Sequence, residues 1–346
     1  MSNDEHFLIE PQAVAAIDAA CIATGMSGYA LMLRAGRAVA AAALRRYPGA
    51  LRFAILCGPG NNGGDGYVAA AALADAGAEI AVFALAPPTT EDARRAFADA
   101  GCAPQSLSAY RPAAGDVVID ALFGAGLARD LAADIIAIIA AVKAAQVPVL
   151  AVDIPSGLCG HSGRTRGGAF EAEATITFVA AKPGLILMPG RSLCGEIEIA
   201  DIGVPRRFLE QHAGPVRLNA PDLWTGQLAD KAATGHKYSH GSLAVFSGGA
   251  MQTGAARLSA TAGLRGGAGL VTMISPAEAA PVHAAHLTAV MLKTADSVAD
   301  LDAILDDVRL NAFVLGPGFG IGEKARDFAL MVKDRRVVLD ADAITS

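Results

Sequence analysis

Apolar residues recur at helical spacing from 10 to 25, with Val14, Ile17 and Ile22 on or near one face. The spacing predicts a second helix over 29–46, ending before Pro48 and Gly49. The period then changes. Short β-rich runs follow at 52–57, 79–84, 117–120 and 147–152, separated by alanine-rich helical stretches at 67–76, 91–100 and 132–144. Strands alternating with helices predict an α/β fold, a parallel sheet covered on both faces. Three of the strands run straight into polar or glycine-rich segments: GPGNNGGDG from Gly58, DALFGAG from Asp120 and DIPSG from Asp153. Ligands of open α/β sheets collect at the carboxyl ends of strands, so these three loops are expected to converge on one site.

A further β-rich run at 174–179 leads to Lys182-Pro183-Gly184 and then to another at 195–202. Residues 205–221 are mixed and polar and read as a linker. At Gly241 a new strand–glycine–helix cycle begins, with a strand expected at 243–247 and the glycine-rich stretch GGAMQTGAARLSATAGLRGGAG after it. The expected boundary lies near 215–225, giving domains 1–215 and 225–346.

Composition narrows the function classes. Apolar residues make up 53% of the 346 and charged residues 18%, enough to bury a sizeable core and too apolar for disorder. The net charge of −6 and the absence of a Lys/Arg block argue against nucleic acid as a partner. The five cysteines (Cys21, Cys57, Cys102, Cys159, Cys194) are scattered, with no C-x-x-C pair, and read as reduced thiols of a cytoplasmic protein. The acidic start MSNDEHF is not a signal peptide, and the apolar stretch at 135–142 stops at Lys143, too short to span a bilayer. A soluble protein with no membrane partner is expected.

The segment GPGNNGGDG follows a strand and precedes a helix. Glycines there let the backbone approach a ligand, and free N–H groups at a helix start favour an anion such as a pyrophosphate. It lacks both the G-x-G-x-x-G spacing and the Gly-Lys-Ser/Thr ending of the common nucleotide loops. A tight turn capped by Asn62 or Asp65 is the plainer alternative. Asp120 leaves an apolar strand before Gly124, Ala125, Gly126 and Leu127; it could ligate a cation, position a ligand or cap the next helix, and taken alone the cap is favoured. Asp153 also ends an apolar strand, and Pro155 and Gly157 aim it and Ser156 into the same crevice. A half-shielded carboxylate can have a raised pKa and act as acid or base; the alternative is a structural Asx-turn. The oxygen donors Asn62, Asp120 and Ser156 suit a hard cation rather than zinc or copper. The pairs His236/His240 and His283/His286 have helical spacing without a third ligand and read as surface histidines. No G-x-S-x-G elbow is present.

Taken in order, these segments resemble the bifunctional NAD(P)H-hydrate repair enzymes, whose first half is the YjeF N-terminal epimerase domain. The likeness rests on Leu31-Met32-x-Arg34-Ala35-Gly36, the glycine loop from Gly58, the runs from Asp120 and Asp153, Lys182-Pro183-Gly184 and Ala200-Asp201-Ile202-Gly203, covering most of 8–204. The resemblance implies a Rossmann-like three-layer αβα domain and a hydrated NADH or NADPH as substrate. It assigns substrate contacts to Asn61, Asn62, Gly63, Gly64 and Asp65, to Gly124, Ala125, Gly126, Leu127, Ala128, Arg129 and Asp130, and to Asp153, the expected acid/base group. Asn62, Asp120 and Ser156 would hold a potassium ion, and a homo-oligomer is expected. Two residues depart from the family's habit: Leu33 in place of an acidic residue and Ala125 in place of Thr.

The second half resembles the companion dehydratase, a ribokinase-like α/β domain, through His236-Lys237-Tyr238-Ser239, Gly254-Ala255-Ala256, Gly266-Gly267-Ala268-Gly269, the run from Gly316 to Gly320 and Leu339-Asp340-Ala341-Asp342-Ala343. By that likeness Ala255 and Gly318 would touch substrate, with Mg2+ and ADP or ATP as cofactors of a complete domain. From 220 to 346 no Gly is followed directly by Asp, so the late G-x-G-D turn of ribokinase-like sites is absent, and a partial dehydratase domain, inactive by itself, is expected. The leading function is epimerisation of the R and S hydrates. A non-catalytic binding module on the same fold and a ribokinase-type sugar or vitamin kinase are the alternatives.

Overall fold

The chain's two alternating α/β runs fold into two separate parallel sheets, in a computed structural model that describes residues 6–227 and 237–346. The chain divides into two compact units, Met1–Trp224 and Thr225–Ser346.

The first unit begins with α1 (Pro11–Ala23) and α2 (Gly28–Arg46), then β1 (Arg52–Cys57), α3 (Asn61–Asp75), β2 (Ile80–Ala84), α4 (Glu91–Ala100) and β3 (Gln105–Ser106). It continues with β4 (Asp116–Ala121), α5 (Ala133–Ala144), β5 (Val149–Val152), β6 (Ala174–Phe178), α6 (Pro183–Ile186), β7 (Glu196–Ala200) and α7 (Arg206–His212). The seven strands run parallel in the order β3-β2-β1-β4-β5-β6-β7. Strand residues alternate between two cores: Ile55, Cys57, Val117, Ile119, Leu150 and Val152 pack toward α1–α4, and Ala54, Leu56, Val118, Val149 and Ala151 toward α5. Burial on both faces explains why these strands read as continuous apolar runs. The register pairs Leu56 with Asp120 and Asp120 with Ala151, which sets the carboxyl ends of β1, β4 and β5 side by side. Strand order reverses between β1 and β4, the point where such sheets open a crevice.

Two expectations need correction. The helix expected from residue 67 begins at Asn61, inside the glycine loop. Glycines are poor helix formers, but here close packing requires them: a Cβ on Gly63 would sit 1.8 Å from the Gly58 carbonyl oxygen. Residues 205–221 are not merely a linker, because α7 buries Phe208 and Leu209 in the first core.

The second unit holds β8 (Ser242–Phe246), α8 (Thr253–Gly266), β9 (Leu270–Ser275), α9 (Ala280–His286) and β10 (Met291–Thr294). After these come α10 (Val298–Leu305), β11 (Ala312–Leu315), α11 (Glu323–Val332), β12 (Arg336–Leu339) and α12 (Asp342–Thr345). Its five strands are parallel in the order β10-β9-β8-β11-β12, with an apolar core on each face. Among the described residues no helix is long and apolar enough to cross a membrane.

Candidate functional site

A cavity of about 840 Å3 opens in the first unit where the carboxyl ends of β1, β4 and β5 meet. Its walls come from Gly60, Asn61, Asn62 and Asp65 at the start of α3, from Gly124, Ala125, Gly126, Leu127, Ala128 and Arg129 after β4, and from Asp153 after β5. Phe178, Val179 and Lys182 close one side, and one stripe of α1 (Pro11, Val14, Ala15, Asp18, Ile22) another. The size falls in the range of roughly 300–1,000 Å3 usual for small-molecule sites.

Asp153 has a left-handed backbone (φ 67°), and its N–H donates to the Ile176 carbonyl at 2.7 Å. That turn brings the carboxylate back over the ends of β4 and β6. Its Oδ2 accepts from the Ala125 N–H at 2.9 Å, and its Oδ1 lies 2.6 Å from Lys182 Nζ and accepts from Thr177 Oγ1 at 3.2 Å. Lys182 is 1% exposed and also donates to Thr177 Oγ1 and the Phe178 carbonyl, at 2.8 and 3.1 Å. Burial by itself would push Asp153 upward, but the Lys182 cation and these hydrogen bonds outweigh it and hold the carboxyl below its ordinary value. The raised pKa expected for Asp153 is therefore corrected: it is an ionised group. The opposite holds for two neighbours. Burial first, then the charges of Asp153 and Asp18, raise Asp65 well above its ordinary value, with Lys182 opposing. Asp18 is raised by burial, with Lys182 opposing and Asp153 adding to the rise.

Beneath the cavity, Asp120 is wholly buried. It caps no helix, contrary to the reading of its segment alone. Oδ2 accepts from the Ser156 N–H at 2.7 Å, and Oδ1 accepts from Ser156 Oγ at 2.6 Å and from the Leu122 N–H at 3.3 Å. Burial pushes Asp120 up to about 6 against the pull of those bonds. Ser156 Oγ also accepts from the Phe123 N–H at 2.8 Å. Asn62 is 9% exposed, its Nδ2 is buried without a partner, and its Oδ1 faces the same Gly124 position as Asp153 Oδ2.

Of the residues singled out from sequence, Asn61, Asn62, Asp65, the run from Gly124 to Arg129 and Asp153 line the cavity; Asp130 is exposed and outside its lining. Gly63 and Gly64 are buried in packing, the latter against Met32. Ala125 packs with Leu8, Ile154 and Leu158, so only its N–H serves the site. Leu33 packs against the first core. In the second unit Gly318 (φ 65°) adjoins Ala255, a Cβ on the glycine lying 3.6 Å from that of Ala255. Sequence reading gave no role to Lys182, Thr177, Asp18 or Thr90, whose hydroxyl donates to Asn61 Oδ1. The available signal was a lysine and an aspartate set among apolar neighbours, Ala180-Ala181-Lys182-Pro183 and Ala15-Ala16-Ile17-Asp18.

The histidine pairs hold no metal site that the structure describes. His236 lies outside the described residues. His283 is not a surface residue: it is fully buried against Ser247 Oγ at 2.8 Å, and burial, then Arg257 and His286, lower its pKa. Among the described residues no group of three or more His, Cys, Asp or Glu is placed to hold a metal.

Comparison with known proteins follows the same two-part division. The family model for the YjeF-related protein N-terminus matches residues 28–184, and that for NAD(P)H-hydrate dehydratase matches 243–346. The chain is 35% identical over 329 residues to the bifunctional NAD(P)H-hydrate repair enzyme Nnr of Escherichia coli (strain K12), covering 92% of this chain and 63% of that one. It is 32% identical to the enzyme of the same name from Coxiella burnetii, over 97% of this chain and 70% of the relative. The chain thus spans about two thirds of the length of these relatives. The crystal structure of yeast ynu0, 21% identical, aligns with a TM-score of 0.51 over 62% of this chain and 96% of the yeast chain, a likeness of fold. Both family models in order, and relatives matched across both units, mean that this chain belongs to the family of bifunctional NAD(P)H-hydrate repair enzymes.

Proposed function

We propose that the first unit is an epimerase acting on C6-hydroxylated NADH or NADPH, with Asp153 as its acid/base group. The observation that carries this reading is the ionised carboxylate of Asp153 at the cavity wall, with Lys182 behind it and Oδ2 toward the Ala125–Gly124 loop. Asp153 Oδ2 takes the proton of the C6 hydroxyl as the C6–N bond breaks and its electron pair moves to the ring nitrogen. The C6 carbon becomes an aldehyde, turns, and is attacked by that nitrogen from its other face. The proton then returns to the new alkoxide. The step is an isomerisation and consumes no oxidant or reductant.

The rest of the cavity suits the dinucleotide. α3 starts behind Gly60, which offers no side-chain cap, so the first-turn N–H groups are available to a pyrophosphate. Arg129 adds a cation to the lining. Asn62, Asp120 and Ser156 would hold potassium: all three supply oxygen, and the hydrogen-bond donors to the buried Asp120 are all neutral. A cation held there would offset the charge of the carboxylate and of the phosphates. For residues 225–346 we propose a part in the dehydration of the S-hydrate with Mg2+ and ADP or ATP, one that this stretch does not perform by itself because it lacks a Gly-Asp turn to present a base.

The test is to follow a mixture of the R and S hydrates by NMR with and without the protein. Faster interconversion of the epimers supports the reading; an unchanged rate overturns it.

A further inference from the structure

We propose that Lys182 and Thr177 are positioning residues for this reaction: together they bind Asp153 Oδ1 and so reserve Oδ2 as the single oxygen that meets the substrate. The proposal rests on the epimerase reading above.

The geometry separates the two oxygens of Asp153. Oδ1 carries the Lys182 ammonium at 2.6 Å and the Thr177 hydroxyl at 3.2 Å; Oδ2 carries one backbone N–H, from Ala125 in the cavity-lining loop. An ionised carboxylate has about four lone-pair positions, so Oδ2 keeps one free for an incoming hydroxyl. Lys182 borders the cavity, but its ammonium has no donor left for substrate. Its three N–H donors are matched by Asp153 Oδ1, Thr177 Oγ1 and the Phe178 carbonyl, and it is 1% exposed. Whatever it does for the chemistry passes through Asp153.

The backbone is bent to make this arrangement. Asp153 (φ 67°) and Val179 (φ 68°) stand in the left-handed region just past the ends of neighbouring strands β5 and β6. For a β-branched residue such as Val179 that conformation is unfavourable and persists only where its surroundings over-determine it. The chain reverses at Val179 so that Lys182 comes back onto the carbonyl of Phe178 and the side chain of Thr177. The N-terminal segment then clamps the reversal: Leu8 bridges Ala181, and the Ile9 N–H donates to the Ala181 carbonyl at 2.8 Å. A buried lysine that served packing alone would need neither strained residue to be set on the carboxylate.

The test uses the full chain and mixed hydrate epimers. In Lys182→Met, kcat should fall on the order of 10²-fold, the scale of an acid/base contribution, while KM stays within about threefold. Thr177→Val, close in size, should lower kcat by several-fold with KM within about threefold, at some cost in melting temperature because one Lys182 donor is left unpaired. Asp153→Asn/Lys182→Met should be no slower than Asp153→Asn, because a residue acting through Asp153 has nothing left to act on. This double variant buries no unpaired charge and should fold even if Lys182→Met does not. Near-normal kcat in Lys182→Met, unchanged kcat in Thr177→Val, or fully additive losses in the double variant would each overturn the proposal. A wild-type chain that does not epimerise would instead overturn the epimerase reading on which it rests.

Discussion

The two units wind the same way and end differently. In the first, β2-β1-β4-β5 repeats the neighbour order that β9-β8-β11-β12 has in the second, and in both the first strand runs through a glycine loop into a helix. At the carboxyl ends the likeness stops. The first unit collects Asp120, Ser156, Asn62 and Lys182 there, all buried, with Asp153 half-buried beside them; Asp120, Asp153, Ser156 and Lys182 are tied to partners and the Asn62 amide nitrogen is not. The second places Ser247 against His283, uses Asp342 Oδ2 to accept from the Gly320 N–H, and leaves Asp340 exposed; it has no fully buried carboxylate among its described residues. The sheet edges differ too. On β7, Glu196 and Glu198 pair with Arg45 and Arg46, a charged edge that resists further strand pairing. On β12, Val338 is 60% and Leu339 39% exposed, an apolar edge without such protection. A shared winding does not confer a shared chemistry; the site built on it does.

The largest effect expected from this contrast is at Asp153. Asp153→Asn should lower epimerisation on the order of 10²-fold or more. It should also lower the melting temperature, because Lys182 is left buried without its counter-charge. Asp340→Asn, in the equivalent strand-end position of the second unit, should leave the epimerisation rate unchanged. Equal losses from the two variants would break the comparison.

Next is the dehydration step. With Mg2+, ADP or ATP and the S-hydrate, these 346 residues should give no nucleotide-dependent return of dinucleotide absorbance. Its appearance would mean that the second unit carries a working site without a Gly-Asp turn.

A several-fold effect is expected from potassium. Calorimetric binding of the hydrate should weaken when potassium is replaced by tetramethylammonium, which cannot enter an oxygen cage. The same exchange should hardly matter in a Ser156→Ala variant. Equal affinity of the wild type in both salts would take the cation away from Asn62, Asp120 and Ser156.

The smallest effect concerns Asp65. Its folded carboxyl is raised by burial and by Asp153 and Asp18, so its contribution to stability is full below the ordinary carboxylate range and is lost as pH rises through the folded value. Asp65→Asn removes that loss. The melting temperature of the variant should therefore gain on the wild type as pH increases, by a few degrees at most, and the two should converge in acid. A gain that grew toward low pH would contradict the assignment.

Much of the architecture was readable in the chain. Strand identity was plain wherever both faces are buried, because continuous runs such as Phe53–Leu56 and Val117–Ile119 leave little else to be. The three loops past β1, β4 and β5 could be expected to converge because parallel strands share a direction. The start of α3 was hidden, since local propensity argues against a helix through Gly63 and Gly64 and only their contacts with Gly58 and Met32 favour it. The helix α7 was hidden for a related reason: Phe208 and Leu209 form too short an apolar signal to stand out from a polar stretch.

By itself, then, the sequence determined the alternation of strands and helices, the family, and which carboxylates stand at the strand ends, all of which depend on residue types and near neighbours. The charge state of those carboxylates was a tertiary matter. Asp153 is ionised because Lys182, 29 positions later in the chain, folds back onto it, and Asp65 is shifted the other way by burial among Asp153 and Asp18. Long-range electrostatics depend on separation in space and on exclusion of water, and neither is written in spacing along the chain.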